Sequence, residues 1–244
     1  MSASSNAETA SRLITEGNVH FHRGDYLAAI ASYTESIRLH PTPAGYDGRA
    51  KACLQRNELG QAIADCDEAI RLDPAFFLAF VTRAVAHFLG GDIDRAIADN
   101  TEAIRLNPNY VVAYRNRGRE YSQSGDYKLA IADYTEAIRL EPKNADAYSD
   151  RGYVQAMLGN YQEAITDCTE AIRLDPNLAV AYHNRALAYR AIGDEGRAQA
   201  DIATGNQLAP AWQSTWTSIL VFWLIVIAGA IGLVYLISLA GQRP

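Results

Sequence analysis

Six of the chain's eight prolines, Pro41, Pro74, Pro108, Pro142, Pro176 and Pro210, are separated by 33, 34, 34, 34 and 34 residues. A fixed period of this size constrains the fold more than any other feature, because a unit that short must bury its apolar face against copies of itself. The intervening segments repeat as well: AIADCDEAIRLDP (62–74), AIADNTEAIRLNP (96–108), AIADYTEAIRLEP (130–142) and AITDCTEAIRLDP (164–176). Each unit reads as two helices. In the fourth, YVVAYRNRGREYSQSG (110–125) leads through a Gly-Asp turn into YKLAIADYTEAIRL (127–140), with apolar residues at i, i+4 and i+7 spacing. Pro142 closes the unit because it cannot continue a helix. Gly118 and Ala130 let two backbones approach closely, while Tyr114, Tyr121 and Tyr134 fill the space beside them.

The slots around each proline carry a family pattern. The first-helix aromatic slot holds Tyr46, Phe80, Tyr114, Tyr148 and Tyr182; the Gly/Ala slot holds Gly17, Ala50, Ala84, Gly118, Gly152 and Ala186; the second-helix alanine slot holds Ala29, Ala62, Ala96, Ala130, Ala164 and Ala198. On these residues the chain resembles the tetratricopeptide repeat. The resemblance implies an all-α, right-handed superhelical solenoid of six helix-turn-helix units over residues 9–210, with repeats at about 9–42, 43–75, 76–109, 110–143, 144–177 and 178–210. Residues 1–8 are expected as a disordered tail.

Two departures from that pattern recur together. The slot that is Leu in the family signature is Arg49, Arg83, Arg117, Arg151 and Arg185, and one second-helix slot is Asp65, Asp99, Asp133, Asp167 and Asp201. The first repeat has Glu16 and Ser32 at those slots, so pairing with the preceding repeat would leave Arg49 facing a serine. Pairing within each repeat satisfies all five, and five intra-repeat ion pairs are therefore predicted, with a role in registry rather than catalysis.

The resemblance also implies a concave surface of first helices that binds an extended peptide or partner helix. The positions expected to face it are Asn18, Asp47, Lys51, Thr82, Arg115, Asn116, Arg119, Asp150, Tyr153, His183, Asn184 and Arg190. Arg115, Asn116 and Arg119 are the densest donor cluster and suit a carboxylate or acidic segment; the plain alternative is a solvated helix face. The dicarboxylate clamp that some members use on chaperone tails is not supported, since Asn18 fits but Ile14, Gly48, Leu78 and Thr82 stand at other clamp positions.

Competing chemistries fall away. Every acidic residue and every basic residue but Arg243 lies at or before Asp201, and the acidic balance, 28 against 22, disfavours nucleic-acid binding. Cys53, Cys66 and Cys168 are too few and too scattered for a disulfide framework or a metal site and read as buried inert thiols. No histidine has metal-ligand spacing apart from His20 and His22, whose i,i+2 separation does not share a helix face; no phosphate-binding or nucleophile-elbow motif is present, and no cofactor or enzymatic activity is expected.

From Ile219 to Ala240 the chain runs 22 residues without a charge. At ~1.5 Å per residue that spans roughly 33 Å, enough for a bilayer core. A single transmembrane helix is predicted over 219–240, with Trp212, Trp216 and Tyr235 at the membrane interface and a short tail at 241–244. The N-terminus has no apolar signal region, so the repeats are expected in the cytosol and the chain is expected to resemble a tail-anchored protein; the 19 Arg against 3 Lys suit a GC-rich bacterial genome and an inner membrane. Residues 211–218 are expected to cap the solenoid, Trp216 falling in the next first-helix aromatic slot. Ala228 and Gly232 could support helix–helix contact in the membrane. The expected function is a membrane-anchored scaffold that recruits a protein or peptide partner; the alternative is an accessory or assembly subunit of a membrane complex held by its transmembrane helix.

Overall fold

A computed structural model describes residues 3–208, which form twelve α-helices and no strand among the described residues. They come in six pairs: α1 (Ala3–His22) with α2 (Tyr26–Leu39), α3 (Pro43–Gln55) with α4 (Leu59–Leu72), α5 (Phe77–Leu89) with α6 (Ile93–Leu106), α7 (Val111–Ser124) with α8 (Tyr127–Leu140), α9 (Ala145–Leu158) with α10 (Tyr161–Leu174), and α11 (Ala179–Ala191) with α12 (Glu195–Leu208). The disordered tail expected over residues 1–8 is corrected from residue 3 onward, where α1 starts at Ala3. It is held there because Ala10 is buried and its carbonyl accepts a hydrogen bond of 2.8 Å from Ser36 Oγ on α2. The segments read as cap, transmembrane helix and short tail, 211–218, 219–240 and 241–244, lie outside the described residues; among those described, no helix is long and apolar enough to cross a membrane.

Local chemistry sets the boundaries. Within five repeats the turn between helices carries a positive-φ glycine, at Gly24, Gly91, Gly125, Gly159 and Gly193; in the second repeat Asn57 adopts the same region at φ 60°. Between repeats, the residues before the periodic prolines are extended, with His40 at φ −156° and ψ 97°, as the proline ring demands of its predecessor. Asp25, Thr42, Asp92 and Asn144 cap the helices that follow by accepting from backbone amides.

The alanine slot of the second helices is fully buried in all six repeats, which is why no larger residue stands there. Tyr33 and Tyr134 pack where the facing slot is glycine: a Cβ added at Gly48 would lie 2.6 Å from the Tyr33 ring, and one at Gly118 would lie 3.0 Å from Tyr134. Each odd-numbered helix contacts the next odd-numbered helix, whereas no even-numbered helix makes a comparable contact with the next even one. Odd helices thus stand closer together and form the inner, concave wall of the curve, with the even helices outside.

Candidate binding groove

The five Arg–Asp pairs set the frame. In each repeat from the second to the sixth, guanidinium Nε and Nη2 donate to the two oxygens of the aspartate on the partner helix: Arg49 to Asp65 at 2.8 and 2.7 Å, Arg83 to Asp99 at 2.9 and 2.7 Å, Arg117 to Asp133 at 2.8 and 2.8 Å, Arg151 to Asp167 at 2.8 and 2.7 Å, and Arg185 to Asp201 at 2.8 and 2.8 Å. This is the fork geometry that favours arginine over lysine. The remaining nitrogen, Nη1, reaches back to the preceding repeat, donating to Thr34, Asp67, Thr101, Thr135 or Thr169 in turn. Each guanidinium also lies 5.5–5.9 Å from the ring of the aromatic three residues before it, Tyr46, Phe80, Tyr114, Tyr148 or Tyr182. One arginine therefore ties three helices. The link to the preceding repeat was not foreseen from sequence, although the Thr or Asp two residues beyond each aspartate slot was there to be noticed.

On the concave wall, the polar residues expected to face a ligand divide into two groups. Some are rungs between neighbouring first helices. Thr82 Oγ1 on α5 donates to Asp47 on α3 at 2.6 Å, and Lys51 Nζ pairs with the same buried carboxylate at 2.6 Å. Arg115 on α7 donates to Asp150 on α9 at 3.1 Å and reaches Asp146 at 3.5 Å. Burial pushes the Asp150 carboxyl above its ordinary range while Arg115 pulls it down. Asn184 on α11 donates to the Ser149 carbonyl and hydroxyl on α9 at 3.2 and 3.1 Å. The Arg115, Asn116 and Arg119 cluster is thus not a set of three unengaged donors: Arg115 is spent on the next helix, where its half-buried position makes a partner obligatory.

The rest are not rungs. Asn116 and Arg119 make no hydrogen bond or ion pair among the described residues, Tyr153 is 39 % exposed, and Arg190 pairs loosely with Glu195 at 3.5 Å. His183 lies over α12, where a Cβ on Gly205 would come within 2.8 Å of its ring, so that ring is a packing element. Asn18 is exposed on α1 and accepts a 2.6 Å bond from Tyr33 OH. Burial, with the nearby Asp47 charge, pushes the Tyr33 phenol up to about 12.

Asn18 and Lys51 belong to the feature that stands out. A cleft of about 530 Å³ opens between α1, α3 and the start of α5, with apolar walls from Ile14, Phe21, Phe76 and Leu78 and polar groups from Asn18, His22 and the Asp47–Lys51 pair. Apolar walls with a few placed polar groups are what a binding pocket requires. Asn18 keeps its amide NH2 for an incoming carbonyl because its own oxygen is engaged by Tyr33. All three cysteines are buried, and burial pushes their thiols up, Cys53 to about 11 and Cys168 to about 12, away from the thiolate form.

Comparison with known proteins supplies the remaining findings. The family model described as Tetratricopeptide repeat matches residues 14–75 and 115–179, and a second model of the same description matches 168–200. The heat shock protein sti1 homolog of Schizosaccharomyces pombe is 41 % identical over 75 residues, covering 30 % of this chain and 13 % of its own length. The chain spans as little as 8 % and no more than 24 % of comparable relatives. A tetratricopeptide repeat protein from Parabacteroides merdae superposes with a TM-score of 0.68 at 22 % identity, covering 83 % of this chain and 81 % of that one. YrrB, described as a TPR protein with an unusual peptide-binding site, gives a TM-score of 0.59 at 20 % identity over 73 % of this chain and 93 % of its own.

Proposed function

The chain belongs to the tetratricopeptide repeat family, and from that premise we propose that it is a membrane-anchored interaction scaffold that binds an extended segment of a partner protein in its concave groove. The observation that carries the reading is the cleft between α1, α3 and α5, where apolar walls meet donors at Asn18 and Lys51. An apolar side chain of the partner fills the cleft, Asn18 donates its amide NH2 to an adjoining main-chain carbonyl, and Lys51 offers a second carbonyl the N–H groups not engaged by Asp47. That YrrB, a relative in fold, has a peptide-binding site supports the mode of use. The charge-free run 219–240 supports anchoring, with the bilayer as second partner and the repeats on the cytosolic side of a bacterial inner membrane.

Two variants of the full chain test the two halves of the proposal. Leu78→Glu places a charge in the cleft without touching the helix-pair core, and should abolish partner recovery while leaving the protein in the membrane fraction. Replacing 219–240 by a neutral apolar helix should keep both membrane location and partner. Loss of the partner in the second variant alone would instead favour an accessory subunit held by its transmembrane helix.

A further inference from the structure

At most joints between repeats, two facing slots form a buried apolar pair. Tyr33 packs with Ala52, Cys66 with Ala86, and Tyr134 with Val154, each within one core cluster. At the joint between the third and fourth repeats the same two slots hold Asn100 and Glu120. Both are buried, at 0 % and 2 % exposure, and Asn100 Nδ2 donates to Glu120 Oε1 at 2.7 Å. Their other oxygens, Asn100 Oδ1 and Glu120 Oε2, have no hydrogen-bond partner. Two acceptors thus stand orphaned on two groups already joined through their remaining atoms.

One hydrogen resolves both. If Oε2 carries a proton, it becomes a donor to Asn100 Oδ1, and the two side chains close an acid–amide ring in which every buried polar atom is satisfied. We propose that Glu120 is held as a neutral carboxylic acid paired with Asn100, and that its proton locks the joint at the middle of the groove.

No neighbouring charge offers an alternative. Arg117, on the same helix, is committed to Asp133 on α8 and Thr101 on α6. Arg119 is exposed and donates no hydrogen bond to Glu120, although its charge acts on it. Arg115 is engaged by Asp150 and Asp146 of α9. From α6, Asp99 adds a like charge, itself bound by Arg83 and 3.9 Å from His87 of α5. Toward the small cleft beside Glu120, α5 presents Val85, Phe88 and Leu89. Burial accordingly pushes the Glu120 carboxyl up to about 7 against the lowering effect of Asn100 and Arg119. The folded value lies above the unfolded one, so the stabilisation is complete below the unfolded pKa of 4.5 and is lost as pH rises through about 7. On the alkaline side the joint holds an ionised carboxylate with two unpaired acceptors, and the halves of the solenoid are coupled less tightly.

Hydrogen–deuterium exchange on the full chain in detergent, at pH 6 and pH 8 with rates normalised to intrinsic exchange, reads this directly. Protection of α6 and α7 should fall about tenfold between the two pH values, while α9 and α10 stay level. Glu120→Gln, which can close the same ring without a proton, should abolish the difference. The double variant Asn100→Cys, Glu120→Ala copies the Cys66/Ala86 pair and should be equally indifferent to pH, which keeps the test open if the glutamine variant folds poorly. Equal loss of protection in these variants, or no loss in the parent chain, overturns the proposal, as does a Glu120 carboxyl that titrates by carbon-13 NMR in the ordinary glutamate range.

Discussion

The two ends of the concave groove are built from the same helix pair and are put to different use. In the distal half, Arg115 of α7 is spent on Asp150 of α9 and Asn184 of α11 on Ser149 of α9, and only Asn116 and Arg119 are left without a hydrogen bond or ion pair among the groove residues of α7. In the near half, Tyr33 is wedged against Gly17 and Gly48, a single rung joins Asp47 to Thr82, and a cleft remains beside Asn18 and Lys51. The difference shows that polarity along a first helix does not by itself mark a ligand site. A donor whose neighbour one repeat away is a carboxylate becomes part of the scaffold; Asn18, beside glycines and apolar walls, keeps its amide NH2 available, and Lys51 keeps only the N–H groups not bound to Asp47.

The comparison can be broken most forcefully through what both halves share. Arg185→Ala strands a buried aspartate, Arg49→Ala leaves Asp65 with only the Gln61 amide as side-chain donor, and each removes a tie to the preceding repeat, so each should cost about 3 kcal/mol in chemical denaturation. A much smaller loss for Arg49→Ala would show that the near end, where Tyr33 supplements the ion pair, is held by other means. Next in size is Gly48→Ala. Its new methyl would meet the Tyr33 ring at 2.6 Å, and overpacking of this kind costs about 1–3 kcal/mol; Gly60→Ala, with nothing within 4 Å, should be neutral or slightly stabilising by the same measurement.

Binding separates the halves further. Asn18→Ala or Lys51→Ala should weaken a groove peptide about five- to tenfold by calorimetry, the worth of one hydrogen bond. Arg115→Ala should alter peptide affinity less than about twofold, since both terminal nitrogens of the guanidinium are already engaged by Asp146 and Asp150. A large loss there would move the site to the distal half.

Much of this architecture is legible in the sequence because the repeat reports each slot several times. Proline spacing marks the units, the invariant alanines mark the closest helix contact, and Ser32 in place of aspartate is enough to choose between two pairing schemes for the arginines. Contacts between repeats were harder to read. Whether Arg115 meets Asp150 depends on how far one helix pair rotates relative to the next, which a single repeat does not encode. The start of α1 is hidden in the sequence for a similar reason: residues 3–8 carry no repeat pattern, and the bond that pins the helix just beyond them, Ser36 Oγ to the Ala10 carbonyl, comes from α2. Asn100 and Glu120 are visible only when their slots are aligned with Cys66, Ala86, Tyr134 and Val154 and found to be polar together.

The most direct test of the central claim is a protection map of the occupied groove. Peptides selected from a random library against the full chain, then bound to it during hydrogen–deuterium exchange, should protect α1, α3 and the start of α5 and should share an apolar anchor residue. Protection confined to α7, α9 and α11 would contradict the account.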